Sequence, residues 1–299
     1  MIYHKPVLLN ESVNGLDIKP EGIYVDVTFG GGGHSREILK HLTTGRLFAF
    51  DQDQDARINM IKNDNFKLVN ANFRYFKRFL RLEGVKRIDG LLADLGVSSH
   101  QFDISRRGFS TRLLGPLDMR MNQEASLDAK YVVNNYSFFD LAQIFFDYGE
   151  LSSSRKIARA VVIYRKKNKR IINTKQLVNC IRHLIPERNG NKFLSKVFQA
   201  IRIEVNDEIQ SLKEMLVSAT DLLRPKARLS VISYHSLEDK LVKNLIKKGN
   251  IEGNLQKDFF GNPIQTFNEI NKKVIIPSDK EIKENSRARS AKLRIAEKK

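Results

Sequence analysis

Four consecutive glycines, Gly30 to Gly33, close the apolar run Tyr24–Phe29 and lead into His34 and Ser35. A strand that ends in glycines and reopens as a helix can bring backbone N–H groups against a ligand, because glycine accepts positive φ and carries no Cβ. A phosphate loop would end in Lys, where this chain has His34 and Ser35, which disfavours a nucleoside triphosphate. A dinucleotide turn would place a third glycine where Arg36 stands, and that side chain is expected to hold the helix off its strand. What remains is a tight turn at a helix N-terminus that suits a carboxylate. Asp51, eighteen residues beyond Gly33 at the end of the next apolar run, is placed to accept both hydroxyls of a ribose. Asp26, just before the glycines, offers an acceptor for an ammonium group.

A carboxylate, an ammonium, a ribose and no phosphate are the parts of S-adenosylmethionine. A glycine-rich connection with no such ligand would read alike, so these residues alone leave both readings open. The elements around them narrow the setting. From Gly22 to Leu95, short apolar runs ("GIYVDVTF", "GRLFAFD", "FKLVNANF", "IDGLLADLG") alternate with helical segments: Ser35 to Leu42, one after Asp53, and Arg74 to Leu82. That rhythm predicts crossover units and a parallel sheet, whose ligands bind beyond the carboxyl ends of the strands. Gly30 to Gly33, Asp51, Phe73 and Asp94 all fall at that edge.

After "VSSHQFDISRRGFS" the strand signals stop, and Thr111 to Glu204 reads as helical and basic. The α/β rhythm resumes at Asn206, read as the N-cap of a helix carrying Ile209, Leu212, Leu216, Ala219 and Leu223 on one face. A strand "ARLSVISY", a helix from Ser236, a loop over Asn250–Asn271, a short helix capped by Ser278 with Glu281, and a last strand "SAKLRIAE" follow. The domains are therefore expected at 1–108, 109–205 and 206–299, the middle one inserted.

Charge sets the partner. The chain of 299 residues carries +18, and Arg155 to Arg202 holds fourteen Lys or Arg against one acid, Glu187. The densest run, Arg165, Lys166, Lys167, Lys169 and Arg170, could be a solvated helix end. Within so long a basic stretch it reads as a contact for nucleic-acid phosphates. The single cysteine, Cys180, has no ligand-spaced neighbour, so neither a disulfide nor a metal site is expected. No apolar run reaches the roughly 18 residues of a membrane span, and no secretory leader is legible, so the expected location is the cytoplasm with no membrane partner.

Nine blocks in order carry a resemblance: "HKPVLLNESV", "DVTFGGGGHS", "DLGVSSHQ", "RRGFS", "GPLDMRM", "KIARAVV", "QAIRIEVNDE", "SYHSLEDK" and "RARSAKLRIAE". Together, from His4 to Glu297, they resemble the ribosomal RNA small subunit methyltransferase H family. The resemblance implies an α/β, Rossmann-like class I methyltransferase domain with a mainly helical inserted domain. It also implies transfer of the methyl of S-adenosylmethionine to the exocyclic N4 of a cytidine in the decoding region of 16S rRNA, within the small ribosomal subunit. The cofactor residues it implies are Gly32, Gly33, His34, Asp51, Phe73, Asp94 and Gln101. The oligomeric state is not legible, and a homodimer is compatible with the chain.

N4 chemistry fits the inventory. Methylation at C5 of cytosine normally needs a cysteine thiolate, and Cys180 lies in the basic helical stretch without an activating neighbour. Exocyclic methylation needs acceptors for the amine N–H groups instead. Asp94 and Ser98 are candidates, with Tyr234 expected to stack on the base and His235 to take a proton. Ser98 and Ser99 could equally be a helix cap or turn, and Ser236 with Asp239 forms a capping-box pattern beside His235. Two positions depart from the family's pattern: Asn122 after "DMRM" and Leu151 after "YGE", where acids are expected. A non-catalytic RNA-binding assembly factor would keep the same fold, and those two departures are its only support. A small-molecule methyltransferase would leave the basic stretch without a purpose.

Overall fold

Val25, Phe48, Phe50, Leu91 and Ala93 pack into one buried cluster, and Tyr24, Leu47, Ala49 and Leu92 into another. Alternate residues of the same strands thus face two covered sides, as expected of a parallel sheet whose strands are apolar throughout. The structure, a computed structural model, describes residues 6–168 and 170–299. The chain forms two compact units, one of Met1–Gly96 with Ile209–Lys299 and one of Val97–Glu208.

The first unit holds seven strands: β1 Ile23–Asp26, β2 Arg46–Asp51, β3 Phe66–Asn70, β4 Ile88–Asp94, β5 Leu223–Ser233, β6 Phe267–Glu269 and β7 Lys292–Lys298. Their order is β3-β2-β1-β4-β5-β7-β6. The first five run parallel, β7 runs antiparallel to β5, and β6 antiparallel to β7. This is a Rossmann-like α/β sheet. The order reverses between β1 and β4, so the connections leaving these neighbours diverge and open a crevice at their carboxyl ends. Leu91, in the middle of β4, is fully buried, and its truncation to Ala would cost about 2 to 5 kcal/mol.

Several expectations are corrected. The segment after Asp53 is a 3₁₀ turn, Gln54–Asn59, because only Ala56 of it is buried and no apolar stripe exists to hold a longer helix. The presumed loop Asn250–Asn271 contains β6 and an isolated bridge between Lys257 and Pro263. Asn206 is not an N-cap: it ends the helix Gly190–Asn206, and Asp207 at φ 48° breaks the chain before the helix Glu208–Leu222. Its side chain instead accepts from the Met121 N–H at 2.7 Å and donates to the Met119 carbonyl at 2.8 Å. The short helix capped by Ser278 is present.

The second unit contains the helices Ser99–Asp103, Ala129–Asn135, Phe138–Asp147, Ser154–Asn168, Thr174–Cys180 and Gly190–Asn206. Its core gathers Val132, Leu141, Phe145, Ile157, Val161, Leu177, Val197 and Ile201. It begins at Val97 rather than at 109, because Val97, Phe102 and Phe109 all pack into this helical core. No helix among the described residues is long and apolar enough to cross a membrane.

Candidate active site

The glycine turn is held from three sides. The Gly30 N–H donates to Asp51 Oδ2 at 2.7 Å, tying the turn after β1 to the end of β2. Arg36 folds back, donating from Nη1 to the Gly31 carbonyl at 2.6 Å and from Nη2 to the Asn59 carbonyl at 3.0 Å. Asn59 Nδ2 donates to the Gly30 carbonyl at 3.0 Å. Arg36 therefore braces the turn rather than holding the helix off, which corrects the sequence reading.

Three of the four glycines have a specific reason to be glycine. Gly30 and Gly32 sit at φ 48° and 74°, where a side chain is strained, and the space over Gly30 is open for 4 Å. At Gly33 a Cβ would lie 2.0 Å from the Pro6 ring. The helix Gly33–Lys40 starts here, and the N–H groups of Gly33, His34 and Ser35 have no acceptor within it. They form the anion-favouring end expected from the sequence.

Three acids end the strands, and their roles separate. Asp26 is fully buried, with Oδ2 accepting from Ser35 Oγ at 2.6 Å and Oδ1 from the Thr28 N–H at 3.0 Å. With no exposed surface and both oxygens bonded to the turn and the helix behind it, Asp26 shapes the turn, whereas Asp51 keeps part of its surface open. Asp51 remains partly exposed, and Oδ1 accepts from the Asp53 N–H at 2.8 Å. Burial lifts its carboxyl to about 6, more than those backbone bonds lower it. Asp94, at the end of β4, accepts from the Tyr234 hydroxyl at 2.7 Å through Oδ1 and is likewise lifted to about 6 by burial.

His34 Nε2 donates to the Val7 carbonyl at 3.1 Å, leaving Nδ1 3.9 Å from Asp94 Oδ2. Burial lowers its pKa, which favours the neutral imidazole, and its backbone N–H lies in the first turn of the helix Gly33–Lys40. Thr28 was missed by the sequence reading. Its hydroxyl accepts from the Asp94 N–H at 2.7 Å and reaches Asp26 Oδ1 at 3.4 Å, joining β1 to β4 across the point where strand order reverses. A hydroxyl two residues beyond the Asp that ends β1 was the only available signal. Phe73 opens the 3₁₀ turn Phe73–Tyr75 just beyond β3, half-buried against the core after the Asn72 cap.

The expected catalytic group is redistributed. The Tyr234 hydroxyl is tied to Asp94, which fixes the ring's position, and Gly96 passes that ring with a prospective Cβ at 3.5 Å. His235 is the N-cap of the helix Ser236–Lys248, in a capping box with Glu238 that replaces the expected Ser236–Asp239 box. Its Nδ1 accepts from the Glu238 N–H at 3.4 Å, so Nε2 carries the proton and lies 3.1 Å from Glu238 Oε1, buried and without hydrogen-bond geometry. Ser98 and Gln101 belong to the other unit, where they form a capping box for Ser99–Asp103.

In that unit, Arg165 donates to the carbonyls of Val133 and Tyr136 at 2.8 and 2.7 Å, closing the end of the helix Ala129–Asn135. It is a structural residue, while Lys166, Lys167 and Arg170 are exposed and Lys169 lies outside the described residues. Cys180 is buried, which pushes its thiol up to about 12, far from a nucleophile's range. Leu151 packs in the helical core and Asn122 caps the Glu124 N–H at 3.0 Å, so both departures are accommodated locally.

Known proteins are similar along the whole chain. "Ribosomal RNA small subunit methyltransferase H" of Flavobacterium johnsoniae is 56% identical across all of this chain and 98% of its own. The protein of that name from Phocaeicola vulgatus is 55% identical over 99% of this chain and 98% of its own. A solved rRNA methylase from Streptococcus thermophilus aligns with all of this chain and 98% of its own at 12% identity and a TM-score of 0.44. The model of the MraW methylase family matches residues 1–299. The chain belongs to the MraW methylase family.

Proposed function

We propose that this chain transfers the methyl group of S-adenosylmethionine to the exocyclic N4 of a cytidine in 16S rRNA of the small ribosomal subunit, in the cytoplasm. Membership of the family makes it an rRNA methyltransferase. The observation that carries the reading is the pair of carboxylates, Asp51 and Asp94, at the sheet edge beside a glycine turn that has no lysine.

S-adenosylmethionine brings a methyl group on a sulfonium, a leaving group that needs no acid. The residues present fit it: the N–H groups of Gly33 and His34 suit its carboxylate, partly exposed Asp51 suits the ribose hydroxyls, and Phe73 suits the adenine. Gly32 permits the turn that brings these backbone groups forward.

The amine lone pair of cytosine is delocalised into the ring, so the protein must accept its N–H groups and align nitrogen with the methyl. Asp94 is the catalytic residue we assign to that task. Tyr234 holds Oδ1, and Oδ2 has no hydrogen-bond donor among the described residues. A carboxyl near 6 can take up the proton that N4 loses at neutral pH. Incubating the protein with methyl-labelled S-adenosylmethionine and unmodified small subunits should label one cytidine at N4. Label at C5, on a ribose oxygen, or nowhere would overturn the proposal.

A further inference from the structure

The helical unit carries a cavity of about 530 Å³ along the helix Ser154–Asn168, lined also by Cys180, His183 and Leu184. That volume lies in the range of small-molecule sites. Arg155, Arg159, Ile163 and Lys167 line it at intervals of four residues, so they share one face, with successive side chains about 6 Å apart along the axis. The lining also carries apolar side chains: Ala160, Cys180 and Leu184, with Ile163 47% exposed. Tyr164 adds an aromatic ring to the lining.

Arg155, Lys156, Arg159 and Lys167 make no ion pair with any described acid, and the stretch around them carries fourteen cations against Glu187. A purely solvated face needs no hollow. A phosphate-only contact needs no apolar lining. A row of unpaired cations beside an apolar, aromatic-lined hollow is what an unstacked base with its own backbone requires, whereas a duplex hides its bases and presents phosphates alone.

We propose that this cavity holds an unstacked nucleotide of single-stranded RNA, its base against Ile163 and Leu184 and its flanking phosphates on Arg155, Arg159 and Lys167. The assignment rests on the rRNA-methyltransferase reading for its choice of RNA, and it adds a substrate anchor on the helical unit. It relocates the expected RNA contact from Lys166, Lys169 and Arg170 to the face that carries Arg155, Arg159 and Lys167.

The test uses the full chain and fluorescence anisotropy with a dye-labelled unstructured RNA oligonucleotide and an RNA duplex of equal length, across a salt series. The triple variant Arg155→Gln, Arg159→Gln, Lys167→Gln should reduce the single-strand slope of log K against log salt by about 2, from three lost contacts at about 0.7 each. Ile163→Ser, which removes apolar surface without changing charge, should weaken single-strand binding about fivefold and leave duplex binding unchanged. Thermal unfolding of both variants should match the wild type, since all four side chains are exposed. Equal losses for duplex and single strand on Ile163→Ser, or a wild-type slope in the triple variant, would overturn the cavity assignment. If that happens while wild-type protein still methylates small subunits, the cavity fails alone. If the wild type neither binds RNA nor methylates, the function fails with it.

Discussion

The sheet edge and the helical face have opposite deficits. At the edge, Asp51 and Asp94 are carboxylates with no Lys or Arg in ion-pair range among the described residues, although the same unit pairs Arg74 with Glu214, Arg228 with Glu297 and Arg294 with Asp239. On the helical face, Arg155, Arg159 and Lys167 have no acid in ion-pair range among the described residues, although the same unit pairs Arg202 with Glu208 through two bonds of 2.8 and 2.9 Å. These ion pairs hold the fold together, and the unmatched groups are the ones we assign to ligands. The responses differ as well. The edge is buried, so it answers to pH, whereas the helical face is exposed and answers to salt.

The largest expected effect breaks the edge at its chemical end. Asp94→Asn should lower the methylation rate about 10²- to 10⁴-fold, the scale of a lost proton acceptor, with S-adenosylmethionine binding retained in calorimetry. The same substitution should stabilise the free protein. The folded state raises this carboxyl from 3.8 to about 6, so its contribution to folding is fully present below pH 3.8 and lost as pH rises through 6. Asn removes that loss. Urea unfolding at pH 7.5 should show a gain of up to about 3 kcal/mol, shrinking toward zero near pH 4. A variant that is inactive yet no more stable would mean that the Tyr234 hydroxyl or another group already offsets the burial of the Asp94 charge.

Asp51→Ala should cost about 1 to 3 kcal/mol of cofactor affinity, the scale of hydrogen bonds to a charged group. Unchanged affinity would show that the ribose is held elsewhere. Arg165→Ala should destabilise the protein by about 2 kcal/mol, because two helix-end carbonyls lose their donor, and should leave the salt slope of RNA binding as it is. That contrast separates the structural arginine from the cations of the cavity. The smallest effect belongs to His235: Ala should cost about 1 kcal/mol as a lost cap, and Asn, a good cap, should restore both stability and rate. A stable but inactive Asn variant would return the imidazole to the chemistry.

Much of this was legible because it rested on local pattern. The apolar runs placed β1 to β4, β5 and β7, and the missing lysine after Gly33 removed phosphate from the edge. What escaped depended on distant contacts. Arg36 was read as an obstacle because sequence does not show that its guanidinium reaches the Gly31 and Asn59 carbonyls. Asn206 has the residue type of a cap, but packing against Met119 and Met121 carries the preceding helix through it. His235 caps a helix that Ser236 was expected to cap, because Glu238 is buried beneath the turn and holds the N–H groups of Tyr234 and His235. Arg165 sat in the densest basic run, and only the fold shows its guanidinium turned inward.

Calorimetry of S-adenosylmethionine binding as a function of pH tests the central claim most directly. If the carboxylate of Asp51, which has no cation beside it among the described residues, receives the ribose, affinity should fall about tenfold between pH 7.5 and pH 5 as a group near 6 takes up its proton, and Asp51→Asn should be weak and flat over the same range. Wild-type affinity that does not change across that range would contradict the account.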